Sequence, residues 1–385
     1  MASLARWDLL VLGGGPAGAA TAALAAGAGA RVLVVEREVF PRDKVCGEFL
    51  SAEALPLLRA LGVEDALRAA GAVAIDTCRV SEPGGRTLEA PLPQPGLGVS
   101  RSLLDATLLD LARRRGAQVW EGEEATEVLR EGGRVVGATV GRERHREVRA
   151  RVVVAADGRR SLLARHLHPG LGDPARSTGA TWFGFKTHRA GSGAVGSRVD
   201  LHVFRGGYAG LAAVEGGRTN VCLLATVRAL AACGRRPEGL LAQVRRNPAA
   251  EEALRGTGEG ARWHSIGPLR FGVRKPAAAG ALFVGDAAGT IDPFAGEGMA
   301  HALLGAHLAA PVALQAAQAG GLTDAEASRY GEAWRQAFAP ATARARRLAR
   351  LLTRPLPATA AVLVLRALGT PAFARLVAHS RTTPA

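Results

Sequence analysis

The segment Gly13-Gly14-Gly15-Pro16-Ala17-Gly18 restricts this chain more than any other, because of where it lies. An apolar run, Asp8 to Leu12, precedes it, and a fifteen-residue Ala-rich stretch follows and leads into the apolar run Arg31 to Val35. That order predicts strand, turn, helix, strand, with strands buried on both faces of a parallel sheet. In such a place GxGxxG has a mechanical meaning. Gly13 permits the tight turn, Gly15 lets a pyrophosphate approach the backbone, and Gly18 lets helix and strand pack closely. The free N–H groups and positive dipole end of the helix that Pro16 and Ala17 open then face phosphate. Glu36 ends the second strand, eighteen residues beyond Gly18, where a carboxylate accepts hydrogen bonds from the hydroxyls of an adenosine ribose and repels a 2′-phosphate. Arg37 beside it is counted with the cofactor contacts.

Up to this point FAD and NAD fit equally, and a later segment decides between them. The apolar strand Ala281 to Val284 ends in Gly285-Asp286-Ala287-Ala288-Gly289, and Asp292-Pro293-Phe294-Ala295-Gly296-Glu297-Gly298 follows before a long Ala/Leu helix. Asp286 can hold a ribitol hydroxyl. The N–H groups from Gly296 through Glu297 and Gly298 to Met299 can face the pyrimidine edge of a flavin, where negative charge develops on reduction.

Between these motifs, periodicity predicts an amphipathic helix over Ser51 to Ala70 and another starting at Ser102, with Asp105 in a capping-box variant. Strands are expected at Arg134 to Val140, after the turn Glu131-Gly132-Gly133, and at Val152 to Ala156, the latter returning to the first sheet. From Thr181 to Trp263 β-branched and aromatic residues alternate with polar ones between Gly-rich turns, which predicts an antiparallel sheet bearing the substrate.

The net charge is +15, from 49 basic and 34 acidic residues, so the field of the molecule attracts anions. The basic residues are dispersed and nearly all Arg, with Lys44, Lys186 and Lys275 the only lysines, and no aromatic-studded basic motif accompanies them; nucleic acid is not expected as a partner. Cys46, Cys78, Cys222 and Cys233 form neither CxxC nor a metal-ligand cluster, so no metal is expected and the cytoplasm is the expected compartment. No uninterrupted apolar stretch approaches the roughly 20 residues needed to span a bilayer. Near the end, Arg344, Arg346, Arg347, Arg350 and Arg354 precede the apolar run Ala358 to Leu365, and Arg366 and Arg375 follow it. Two readings stay open: a basic helical tail packed on its own domain, or a segment lying peripherally on the inner face of a membrane.

The set of GxGxxG with Glu36, Ala156-Asp157-Gly158, and Gly285-Asp286 with Pro293-x-x-Gly296-x-Gly298 resembles the p-hydroxybenzoate-hydroxylase-type flavoprotein superfamily over about residues 8 to 310. Asp43-Lys44-Val45-Cys46-Gly47-Glu48 resembles the K-x-C-G-E segment of the geranylgeranyl reductase family. The resemblance implies an α/β fold with a discontinuous, Rossmann-like FAD-binding domain of the GR2 type, an antiparallel substrate sheet and a helical C-terminal region. It places Cys46 beside the isoalloxazine, Arg101 on the pyrophosphate, and Asp157 and Gly158 at the cofactor, and it adds Lys44 and Gly47 to the cofactor contacts. For Cys46 a chemical role and a small residue fitted close to the ring both remain open, and for Asp157 so does capping of the next helix. Three departures stand out. Aromatic hydroxylases of this superfamily carry His where this chain has Gly289, the halogenase segment Trp-x-Trp-x-Ile-Pro is missing, and the reductases' aromatic-rich segment is replaced by Tyr208-Ala209-Gly210-Leu211.

The expected organisation is FAD-binding segments over 1–75, 101–180 and 276–325, a substrate-domain excursion over 76–100, a substrate sheet over 181–275 and a helical region over 326–385. The expected activity is hydride transfer between noncovalent FAD and a hydrophobic, isoprenoid- or quinone-type substrate. The alternatives are an NAD(P)H-dependent monooxygenase of phenolic or polyketide compounds, and a flavin-binding module without turnover. Only one dinucleotide fold is present, so NAD(P)H is expected to dock transiently as electron donor, or a redox partner protein takes its place.

Overall fold

The apolar residues after Trp7 are buried on both faces because their strand forms the middle of a parallel sheet. In the computed structural model, which describes residues 7–143, 145–167, 181–269, 271–352 and 355–379, strand Trp7–Leu12 lies between Val32–Glu36 and Arg146–Ala155. Gln118–Glu121 and Ala281–Phe283 extend the two sides, again in parallel. The run expected at Val152 to Ala156 is the inner end of Arg146–Ala155, whose outer end pairs with the hairpin Ala125–Glu131 and Arg134–Val140. Helix Pro16–Gly27 is almost wholly buried, and its Ala side chains let the sheet, helix Arg101–Arg114 and helix Gly298–Gln318 all approach it closely.

Two sequence expectations change here. The helix predicted over Ser51 to Ala70 is two, Leu55–Leu61 and Glu64–Ala69, because Gly62 takes φ +76° and ends the first. The helix predicted from Ser102 starts at Arg101. Ser100 is its cap, with Oγ accepting from the Leu103 N–H, and Asp105 serves two guanidinium groups instead of a capping box. Helix Gly298–Gln318, at 21 residues, is long and on average apolar enough to match a bilayer, although His301, His307, Gln315 and Gln318 interrupt its apolar run. It is the core helix between sheet and Pro16–Gly27, with its Ala face buried.

The second sheet runs in the order His264–Leu269, Trp182–Ala190, Arg218–Thr226, Gly207–Val214, Arg198–Phe204, Val73–Ser81, Thr87–Gly98, Phe49–Leu50. It is antiparallel except where Arg198–Phe204 meets Val73–Ser81 in parallel. A hairpin cannot join two such strands, and between them the chain passes through much of the first sheet. Residues 227–254, which lie within the expected run of strands, are three short helices, Val227–Ala232, Pro237–Arg245 and Pro248–Leu254. Thr226 and Asn247 cap two of them, Pro237 and Pro248 sit at N-terminal positions, and Leu230, Leu240, Val244 and Leu254 pack on the back of the sheet. The other face meets the helices Pro355–Leu368 and Thr370–His379 through Val362 and Phe373.

Candidate active site

The three glycines of the first turn do different work. A Cβ on Gly13, whose φ is +104°, would lie 2.4 Å from the carbonyl oxygen of Ala156, and one on Gly18 would lie 1.9 Å from that of Gly13. Both residues serve packing. At Gly15 a Cβ would meet nothing closer than the Nη2 atoms of Arg42 and Arg101, each 3.9 Å away. The space ahead of the helix N-terminus is thus an open seat between two guanidinium groups, suited to a diphosphate. Fully buried Asp105 fixes both cations, accepting from Arg101 Nε and Nη2 at 2.7 Å and from Arg42 Nη1 at 2.8 Å. Arg42 escaped the sequence reading because it stands in an irregular segment without a motif.

Glu36 ends its strand at this turn, with Oε2 accepting from the Gly14 N–H at 2.6 Å and Oε1 from the Glu38 N–H at 2.9 Å. Arg37, next to it, is exposed and pairs with Glu38 at 3.4 Å. The Asp157 carboxylate accepts from the Leu162 N–H at 2.7 Å and caps the following helix, while its buried Oδ1 has no partner among the described residues. Gly158, at φ +76°, and Arg159 form the cavity wall there instead.

The downstream motif closes the same cavity. Gly285, Asp286, Pro293, Gly296, Gly298 and Met299 line it together with Pro16 and Ala17. Glu297 is fully buried and turned towards His301, 3.6 Å away, so at this wall it offers backbone only. Asp286 interacts electrostatically with Lys44, Arg159 and Arg274. Burial, with Arg101 and Arg42 nearby, pulls the Lys44 ammonium down to about 8 despite Asp286.

The Lys44 to Glu48 segment forms a further wall and is held by the second sheet. Glu48 adopts φ +56° and is fully buried. Its Oε1 accepts from Lys186 Nζ at 2.5 Å and from the Arg101 N–H at 2.8 Å, and its Oε2 stands 2.6 Å from His188 Nε2. Lys186 also donates to Asp43 at 2.8 Å. Asp43, Glu48 and His188 have the spacing of a metal-ligand set, yet the positive charge they face is the protein's own ammonium. Asn220 Nδ2 donates to the carbonyl of Cys46 at 3.0 Å, and the Cys46 sulfur accepts from the Glu48 N–H at 3.4 Å. Lys186 and Cys222 are opposite each other in the sheet, as are His188 and Asn220, so two adjacent strands present this whole contact.

Beyond Cys46 and Gly47 the cavity becomes apolar. Cys78, Val80, Leu88 and Leu201 of the second sheet form one side and Val362, Leu365, Phe373 and Leu376 of the last two helices the other. The residues fit FAD: an open diphosphate seat at Gly15, an acid at each of two strand ends, and a helix start at Gly298 bordering the cavity. FAD, when bound, supplies two-electron redox chemistry, and the chain supplies the seat, the fixed charges and the dry wall.

Residues 6–337 match the family described as FAD binding domain. Menaquinone reductase of Mycolicibacterium smegmatis is 31% identical over 383 residues, covering 91% of this chain and 85% of that protein. Digeranylgeranylglycerophospholipid reductase 1 of Methanopyrus kandleri is 30% identical over 357 residues, covering 90% and 91%. Among solved structures, a geranylgeranyl bacteriochlorophyll reductase-like protein from Thermoplasma acidophilum shares the fold at TM-score 0.77 and 24% identity, over 90% of this chain and 88% of its own. A flavin-dependent brominase shares it at TM-score 0.81 and 20% identity, over 97% and 94%. The chain belongs to the FAD binding domain family. It is an FAD-dependent oxidoreductase.

Proposed function

We propose that the protein is a reductase that passes hydride from FAD to a lipid-like substrate of the isoprenoid or quinone class. The observation that carries this reading is the apolar arm of the cavity, which joins the Cys46 wall to the C-terminal helices without leaving the cofactor cleft. Two relatives whose names specify a quinone and a prenylated lipid support it. In the balanced step one carbon of the substrate's double bond would gain a hydride from the reduced cofactor, which is left oxidised, and the other a proton from water, so the product gains two hydrogens. Cys46 lines the wall where the cofactor and substrate halves meet, and we assign its thiol to contact the substrate there.

Helix Pro355–Leu368 gives the lipid a way in. Its inner side places Val362 and Leu365 on the cavity, while Leu363, Val364 and Leu368 are 49%, 58% and 64% exposed. Arg366 and Arg375 flank this apolar patch, a pattern suited to lying on an anionic lipid surface. Arg354, named with the basic residues ahead of the helix, lies outside the described residues. For the electron donor, Arg159 and Arg274 beside Asp286 provide positive charge at the cofactor cleft, suited to transient docking of NAD(P)H. The test of the substrate reading is single turnover: FAD-loaded protein, reduced without oxygen and mixed with a short-chain prenyl quinone, yields a lipid that is still heavier by two hydrogens after air has returned its ring to the quinone.

A further inference from the structure

Tyr208 lies in strand Gly207–Val214, opposite Leu224 of the next strand, and lines the cavity. Its ring stands edge-on to Phe294, with centroids 5.2 Å apart and planes at 83°, and packs with Leu224 and Leu269. Only 5% of the residue is exposed. Its hydroxyl is buried and has no hydrogen-bond partner among the described residues. Phe would fill the same apolar surroundings without burying an unpaired hydroxyl, a group that costs stability when it is left unmade. The unsatisfied donor belongs to a residue of the wall along which the lipid is proposed to lie.

We propose that Tyr208 Oη donates a hydrogen bond to a carbonyl oxygen of the substrate, which makes that substrate a carbonyl-bearing, quinone-type lipid rather than a bare isoprenoid chain. This rests on the lipid reading of the same cavity and narrows it. Burial, with Asp292 and Cys222 nearby, holds the phenol well above its ordinary pKa, so it remains protonated and able to donate throughout the neutral range. Leu201, Leu224, Ile266 and Leu269 around it offer a hydrocarbon chain contact without discrimination, and the hydroxyl adds the selection.

The test compares two probes on FAD-loaded, oxidised protein by calorimetric titration: a naphthoquinone carrying two isoprene units, and the matching naphthalene without carbonyls. The parent protein binds the quinone about tenfold more tightly, the scale of one net hydrogen bond. Tyr208→Phe binds both probes at the naphthalene's affinity. Without lipid, it melts at the parent's temperature or above it. A Tyr208→Phe protein that melts lower and keeps its preference for the quinone overturns the proposal, since the hydroxyl would then serve the protein itself. Equal binding of both probes by the parent overturns it too, and leaves the lipid site standing. Binding of neither probe removes the lipid site along with it.

Discussion

Lys186 Nζ lies 2.5 Å from Glu48 Oε1, and both side chains are fully buried, one on the second sheet and the other at the end of the segment that carries Cys46. Through this contact the second sheet sets the position of a cavity wall. The same ammonium reaches Asp43, and His188 reaches the second oxygen of Glu48, so the carboxylate is satisfied on both sides.

Lys186→Met removes the charge while keeping most of the volume, and it leaves Glu48 buried without its cation. The expected cost is about 3–5 kcal/mol, the scale for breaking a buried pair. Lys186→Met combined with Glu48→Gln regains most of that loss. Chemical denaturation of the three proteins checks this, and additive losses in the double variant would contradict it.

The pair should make stability level across the neutral range. Burial works against the charge on Asp43, but the Lys186 hydrogen bond and charge outweigh it and hold its pKa below 3.8. Burial likewise opposes the charge on Lys186, and Glu48 with Asp43 raises its pKa above 10.5. Asp43 therefore contributes stability that is present above its unfolded pKa and lost as pH falls through the lower folded one. Lys186 contributes stability that is present below its unfolded pKa and lost as pH rises through the higher folded one. Thermal melts between about pH 5 and pH 9 show no dependence on this pair. Asp43→Asn flattens the acid limb of the curve, and an unchanged acid limb would show that Asp43 has no part in it.

Gly15 and Gly18 separate binding from folding. Gly15→Val keeps the fold, since its Cβ has room, but fills the diphosphate seat and abolishes FAD binding. Gly18→Ala puts a methyl 1.9 Å from a backbone oxygen and costs about 3 kcal/mol or more of stability. Circular dichroism and flavin absorbance on each variant read the two effects. A yellow Gly15→Val protein would remove the seat.

What the sequence revealed of this site is what the backbone does locally. Gly13 to Gly18, Gly285-Asp286 and Pro293 to Met299 fix turns and helix starts within a few residues, so their positions could be read from spacing. Tyr208 comes to the cavity, and Arg42, Lys186, His188 and Asn220 to the residues that form its wall, through strand register and through a loop laid across a sheet. No periodicity marks such a meeting. Local signals were also misjudged where two competed. Ser100 precedes a charged Arg101, which hid it behind Ser102, and the continuous Leu spacing from 55 to 67 masked the left-handed turn at Gly62. The partition 76–100 missed that Val73–Ser81 enters the second sheet earlier and that Phe49–Leu50 already pairs with it.

Lys44 gives FAD binding a pH dependence of defined sign. Its ammonium is held at about 8 in the free protein, and an incoming diphosphate raises it. Above pH 8 binding must then take up a proton, so FAD affinity falls as pH rises, by up to about tenfold per unit. Fluorescence titration of the apoprotein at pH 7 and at pH 9.5 reads the slope. Lys44→Met binds more weakly at pH 7 and loses most of the dependence, and a slope equal to the parent's would exclude Lys44 as its source.

The most direct measurement of the central claim is the fate of the electrons. FAD-loaded protein is reduced with dithionite under argon and mixed with one equivalent of a short-chain prenyl quinone, while flavin absorbance and lipid mass are followed together. The account predicts that the oxidised flavin spectrum returns without oxygen and that the lipid, returned to the quinone form by air, is heavier by two hydrogens, with Cys46→Ala slowing that return at unchanged FAD content. A flavin that stays reduced until air is admitted, followed by a product heavier by one oxygen, would contradict it and identify a monooxygenase.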